Sequence, residues 1–179
     1  INVMGNYRIK GKKLWKTPLD KRQRKTSLEK HLQFYKVVKA LIHKIEEKFG
    51  CAVVYDMHSY NWKRWNREVP VINLGTANID NSKYSSTVDL WKNSLASISL
   101  PNAIKTTTAI NDTFQGNGYF LKFITEHFNN TLVLATEFSK IYCDEETGVI
   151  YPEVVAAIEE QLKTRIPDHA STFYRTFAK

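Results

Sequence analysis

Cys51-Ala52-Val53-Val54-Tyr55 runs straight into Asp56-Met57-His58-Ser59-Tyr60, and the reading of this stretch decides the fold. Its first half is too short for a helix and rich in β-branched and aromatic side chains, which predicts a buried strand. A strand that ends on Asp-x-His carries an imidazole to its C-terminal edge, where open α/β sheets keep their binding crevices. If the strand continues as far as His58, Asp56 and His58 stand two residues apart and share one face. A second apolar run, Thr131-Leu132-Val133-Leu134-Ala135-Thr136, ends in the same way on Glu137. Two reactive side chains at two strand ends predict one site.

Working outward, Leu28, Leu32, Tyr35, Val38, Leu41, Ile42, Ile45 and Phe49 recur at helical spacing and predict a long helix over 27–49, closed by Gly50. Ser27 is the expected cap; Lys30 stands three positions on, so no capping box forms there. Residues 1–26 read as irregular, with Gly5, Gly11 and Pro18 as punctuation. Downstream, the pattern predicts a strand over 69–74, a helix over 86–99, a strand over 104–110, a polar loop over 111–118 and a short helix over 119–128. The 131–136 strand follows, and a last helix starts at Pro152 and runs to about 163. Strands alternating with helices predict an α/β fold, a three-layer αβα arrangement with a mixed, largely parallel sheet. With no internal repeat or dividing linker, the 179 residues read as a single domain large enough for a core.

Composition narrows the class. At 42% hydrophobic and 25% charged residues the chain belongs with ordinary folded proteins rather than disordered ones. No apolar stretch approaches the roughly 20 residues that cross a bilayer, and no signal-peptide pattern opens the chain. Cys51 and Cys143 make neither a disulfide framework nor a CxxC pair, which fits a reducing compartment and a cytoplasmic location. The net charge is +8 and the pI about 9.4, with much of the excess between residues 8 and 25. There Arg8, Lys10, Lys12, Lys13, Lys16, Lys21, Arg22, Arg24 and Lys25 face one acid, Asp20. Such a run could track phosphates or could be a solvated loop. No zinc finger, RNP aromatic pattern or GXXG loop accompanies it, so neither nucleic acid nor a membrane is an expected partner.

The residue types at the two strand ends suit hydrolytic chemistry. A neutral imidazole is the commonest metal ligand, and its second nitrogen needs a partner to fix the tautomer, a part open to Asp56. The alternative is a hydrogen-bonded histidine of no chemical role. Glu137, at the end of an apolar strand, is costly to bury unless paired or protonated. Facing a polarised water it would make a general base; the alternative is an exposed strand-end acid.

The surroundings make the pair more specific. His58-Ser59-Tyr60 at one strand end and Thr136-Glu137-Phe138 at another resemble the zinc carboxypeptidases. The chain is more similar to the related N-formylglutamate amidohydrolase family, over much of its length. Leu14-Trp15-Lys16-Thr17-Pro18-Leu19 resembles that family's Leu-Trp-x-x-Pro-Leu opening, and a long helix carrying Tyr35 follows. Asp56-Met57-His58-Ser59 resembles its Asp-x-His-Ser motif, and Asn73-Leu74-Gly75-Thr76 its Leu-Gly element. Asn111 to Gly118 resembles Asn-x-Pro-Phe-x-Gly-Gly, with Thr113 and Asn117 where proline and the second glycine are frequent. Glu137 to Gly148 is similar to its acid-containing strand end and Leu-Tyr-x-Asp-Glu-x-Thr-Gly tail.

The resemblance implies a phosphorylase/hydrolase-like, zinc carboxypeptidase-like fold and a zinc-dependent hydrolysis of a C–N amide bond. The substrate would be an N-acyl amino acid such as N-formyl-L-glutamate, a small carboxylate-bearing amide. It implies His58 as a zinc ligand with Asp56 and Ser59 behind it, and Glu137 as the catalytic general base. Arg64, Asn111, Thr113 and Arg8 are the expected substrate-binding residues, Arg64 first because it follows His58 by six positions. Residues 1–50 lack the family's histidine-and-acid motif that completes the zinc shell. The chain starts at Ile1, so the missing ligands are expected upstream, with residues 1–179 as the C-terminal part of a longer catalytic domain. The alternatives are a carboxypeptidase-like or other deacylase, and a metal-free basic binding module or inactive fragment.

Overall fold

The computed structural model describes residues 16–178 together with two short strands, β1 (Arg8–Ile9) and β2 (Lys12–Lys13), which pair antiparallel. The chain divides into two compact units, residues 1–45 and 46–179.

Helix α1 spans Lys21–Phe49, six residues longer at its start than the apolar periodicity indicates. The cap is Asp20, not Ser27. Asp20 Oδ1 accepts from the Gln23 amide at 2.8 Å, and Gln23 Oε1 accepts from the Asp20 amide at 3.0 Å. This reciprocal pair is a capping box built on Asp and Gln, hidden in the sequence by the basic residues around it. The apolar face read from the spacing is mostly open among the described residues: Leu32 is 59% exposed and Leu41 56%, and Ile42 alone is buried.

In the second unit, β3 (Ala52–Tyr60), β4 (Ile72–Gly75), β5 (Thr108–Ile110) and β6 (Thr131–Ser139) form one sheet in the order β3-β6-β4-β5. β3 runs parallel to β6, β6 antiparallel to β4, and β4 parallel to β5, so the sheet is mixed as expected. β6 has a strand on either side and a layer on either face, which explains its near-continuous apolar sequence. Its even-numbered residues Leu132, Leu134, Thr136 and Phe138 face a core shared with α2 (Asn81–Ala96) and α4 (Pro152–Phe177). On the other face, α3 (Tyr119–His127) buries Leu121 and Ile124 beside β6.

Several boundaries differ from the sequence reading. α2 begins five residues earlier than 86, because Asp80 caps it by accepting from the Ser82 and Lys83 amides. β5 is only Thr108–Ile110, the residues that pair with β4. α4 continues past 163 and through Pro167 to Phe177, since buried His169 and Phe173 anchor its second half in spite of the missing amide donor.

His169 is part of a buried polar relay on the α4 side of β3. Its Nε2 lies 3.0 Å from the Thr87 carbonyl, which can only accept, so that nitrogen carries the hydrogen. Nδ1 is therefore free to accept from the Tyr55 hydroxyl at 2.6 Å. Trp91, fully buried, packs beside both rings and donates to Thr136 Oγ1 at 3.0 Å. Burial lowers the His169 pKa below its ordinary 6.5, because the charged form loses its hydration. The unfolded chain then binds a proton that the folded chain resists, so this stabilisation is present above pH about 6.5 and is lost as pH falls below it. Denaturant unfolding between pH 7 and 5 should show a steeper loss of stability for the native protein than for His169→Gln. Parallel curves would show that His169 is not held neutral.

Candidate active site at the β3–β6 edge

β3 does continue through His58, and its parallel register with β6 sets His58 directly opposite Glu137. Cross-strand partners share a face, and so do residues two apart, so His58, Asp56 and Glu137 stand on one side of the sheet. On the other side of β6, Asn73 of β4 is the register partner of Glu137. The acid is thus flanked by an imidazole and a carboxamide.

His58 Nε2 and Asp56 Oδ1 are 2.9 Å apart, with the imidazole half exposed and the carboxylate mostly covered. Asp56 thereby fixes the ring, and Nδ1 makes no contact with a described residue that would keep it from a ligand. Glu137 is the one position of β6 that is not fully buried. Burial raises its pKa above the ordinary 4.5; the His58 and Arg64 charges oppose the rise and Asp56 adds to it. This is a carboxylate biased toward holding a proton, next to groups that steady its charge.

Asn73 was not singled out by the sequence pattern, yet it organises the loop beside the site. It is fully buried, and its Oδ1 accepts from the amides of Asp112 at 2.8 Å and Thr113 at 3.1 Å. Its Nδ2 donates to the Phe114 carbonyl at 2.8 Å. Asn111, at φ 57°, accepts from the Thr76 amide at 2.9 Å and donates to Thr76 Oγ1 at 2.8 Å, so both ends of its side chain hold the loop in place. Thr113 turns its hydroxyl to that of buried Tyr60, which donates to the Pro70 carbonyl and whose pKa burial pushes up to about 12. The loop approaches β4 so closely that a Cβ on Gly75 would meet the Gly116 backbone at 2.5 Å, and Gly116 itself has φ +79°. Only glycine serves at both positions.

Of the remaining expected residues, Ser59 points to the opposite face, where its Oγ accepts from the Tyr142 hydroxyl at 2.9 Å. There Met57, Ser59, Phe138 and Tyr142 meet Ile158, Leu162 and Ile166 of α4 around an apolar groove of about 960 Å³ that also touches His58. Arg64 lies in the loop after β3 and acts on Glu137 electrostatically. Arg8 lies in β1, and its side chain is outside the described residues. Among the described residues, no three His, Cys, Asp or Glu side chains cluster closely enough to hold a metal ion. A neutral imidazole backed by a carboxylate has the chemistry of a zinc ligand, but these residues do not by themselves make a zinc shell.

At one edge this α/β sheet brings together an imidazole, its carboxylate partner and a second, half-buried carboxylate, side-chain types that hydrolytic chemistry uses. The model of the N-formylglutamate amidohydrolase family matches residues 2–142, and the chain belongs to that family. The fold is similar to the crystal structure of N-formylglutamate amidohydrolase from Ralstonia eutropha JMP134, with a TM-score of 0.68 at 16% identity. That match covers 88% of this chain and 59% of the other, so the chain spans about three-fifths of that protein's length. No curated protein matches the chain. No described helix is long and apolar enough to cross a membrane.

Because the folded state holds the Glu137 proton more tightly than the unfolded state, ionising it costs stability as pH rises above about 4.5. Metal-free Glu137→Gln protein should therefore gain stability relative to the native protein between pH 4.5 and 7, read by thermal unfolding. An unchanged difference across that range would contradict the raised pKa. Asn73→Ala leaves two amides and a carbonyl of the loop without partners and should cost about 2–4 kcal/mol by denaturant unfolding. A cost near zero would show that the loop holds without it.

Proposed function

We propose that this chain carries the amide-cleaving half of a zinc-dependent N-formylglutamate amidohydrolase, with Glu137 as general base and His58 as one metal ligand. The observation that carries the reading is the His58–Glu137 register pairing, with the acid's pKa raised by its half-buried setting. His58 would bind through Nδ1 with Nε2 held by Asp56, and at least two further ligands would come from outside the described residues. Bound zinc would supply Lewis acidity and an acidified water.

Glu137 takes a proton from the attacking water, whose oxygen bonds to the formyl carbon. The carbon–nitrogen bond then breaks, and Glu137 returns the proton to the departing nitrogen, giving formate and the free amino acid. A raised pKa suits the first step, since it makes the carboxylate a stronger base toward the water's proton. The Asp56–His58 pair keeps the imidazole in one orientation throughout.

A metal-free binding module is the second reading, favoured by the lack of a three-ligand cluster among the described residues. Metal content and formate release from N-formyl-L-glutamate separate the two. The amidohydrolase reading expects stoichiometric zinc and turnover in the native protein. It also expects a loss of about 10²- to 10⁴-fold in kcat for Glu137→Gln with zinc retained, and loss of zinc affinity in His58→Ala. Turnover undiminished in Glu137→Gln, or native protein that neither binds zinc nor releases formate, would overturn it.

A further inference from the structure

β3 stands at one end of the sheet, and its outer edge is open. The Ala52 amide donates to the Asn130 carbonyl at 3.1 Å, and the Tyr60 carbonyl accepts from the Lys140 amide at 2.9 Å. In the parallel ladder with β6 the even-numbered residues therefore turn their backbone groups inward. Val53, Tyr55, Met57 and Ser59 point theirs away from the sheet, and none of these groups is hydrogen-bonded to a described residue. Such a row of donors and acceptors is a template for another strand. Sheets ordinarily guard an edge with a lysine, a proline, a bulge or a very short strand. The opposite edge is guarded in the last way, since β5 has 3 residues. β3 has 9, contains neither lysine nor proline, and keeps an unbroken register with β6.

The apolar groove on the α4 side adjoins this edge. Met57, 37% exposed, lines it together with Val155, Ile158, Leu162 and Ile166, which recur at helical spacing and make one stripe along α4. Glu159 and Lys163 also line it, one turn apart, with 2.7 Å between their charged atoms. These features are self-complementary. Two identical edges pair antiparallel about a two-fold axis normal to the sheet, which keeps both copies of α4 on one face and runs them antiparallel. Each glutamate of the groove then faces the lysine of the other copy. Charge also selects the strand register. Centred on Met57, the pairing sets Tyr55 across from Ser59 and Asp56 across from His58 of the second copy. Centred one residue to either side, it would set Asp56 against Asp56 or His58 against His58, and like charges directly opposite destabilise a pair.

We propose that the open edge of β3 docks a second copy of this chain, the two strands pairing antiparallel about Met57 and joining two four-stranded sheets into one. The outward backbone groups of Val53, Tyr55, Met57 and Ser59 find their partners in the other copy's β3. The stripe of each α4 closes the groove from the opposite side. Asp56 of each copy stands beside His58 of the other, on the face that carries Glu137, so the second copy borders the candidate active site. The inference does not rest on the amidohydrolase reading.

Sedimentation equilibrium of the full chain should show a concentration-dependent dimer of twice 20.8 kDa. Met57→Pro removes an outward N–H and no hydrogen bond to β6, so it should keep the fold by circular dichroism and raise the dimer dissociation constant at least about 10-fold. Leu162→Glu, in the groove and away from the strand, should weaken the dimer to a similar degree. Oxidative cross-linking reads the register, in a background with Cys51→Ala and Cys143→Ser. Met57→Cys should cross-link to its own copy, since hydrogen-bonded antiparallel partners bring their Cα atoms to about 5.5 Å, within disulfide range. Ser59→Cys should not, because its partner is Tyr55. A single species of 20.8 kDa at every concentration overturns the inference. So does a dimer left unweakened in folded Met57→Pro and Leu162→Glu, or one that cross-links through Ser59→Cys and not through Met57→Cys. If Met57→Pro fails to fold, Leu162→Glu and the two cysteine variants decide.

Discussion

Parallel pairing of β3 with β6 brings the C-terminal ends of both strands to the same edge, in the register that sets His58 beside Glu137. Antiparallel pairing would have sent the two groups to opposite edges, and a slip of one residue would have carried Glu137 to the other face. The register is enforced from the face opposite Glu137. Leu132, Leu134, Thr136 and Phe138 pack into the core shared with α2 and α4, and Trp91 hydrogen-bonds Thr136. Each of these contacts also fixes the residue that follows it on the opposite face. The position of the acid is therefore a by-product of how well the apolar face is packed.

A second layer of order comes from β4. Asn73 adjoins Glu137 but spends all three of its loop hydrogen bonds on backbone groups of residues 112–114. The strand thus holds the loop by side chain as well as by backbone, and the loop presents Phe114 to Arg64 and Asp112 to Arg67. Gly75 and Gly116 permit this approach because neither backbone has a Cβ in the way. Loss of the carboxamide or of either glycine would disturb the loop that carries Asp112 and Phe114.

The sequence made the strands legible because their patterns carry direct physical signals: a short β-branched run, a buried central strand, an Asp-x-His two residues apart. The mixed sheet and the convergence of His58 with Glu137 followed from those runs and from the family resemblance. Other features were hidden for specific reasons. The Asp20–Gln23 box lay in a basic stretch where charge masked the capping pattern. α4 was cut short at 163 because proline propensity is local, whereas the burial of His169 and Phe173 is not. Asn73 looked like an ordinary polar interruption of a strand, since three long-range hydrogen bonds leave no trace in the spacing of its neighbours. Ser59 shares a motif with His58, but strand alternation sends it to the other face, toward Tyr142.

The two faces of β3 put buried ionisable groups to opposite uses. His169 is enclosed, and each of its ring nitrogens has a partner, in Tyr55 and Thr87. A proton added there finds no acceptor it does not displace, so burial locks the neutral tautomer and the group serves packing. Glu137 is only half-buried, and charges from His58, Asp56 and Arg64 reach it without closing it off. Desolvation disfavours the charged form of both groups, but Glu137 keeps one side of its carboxylate open. What separates the two buried groups is therefore whether their polar atoms are already fully partnered.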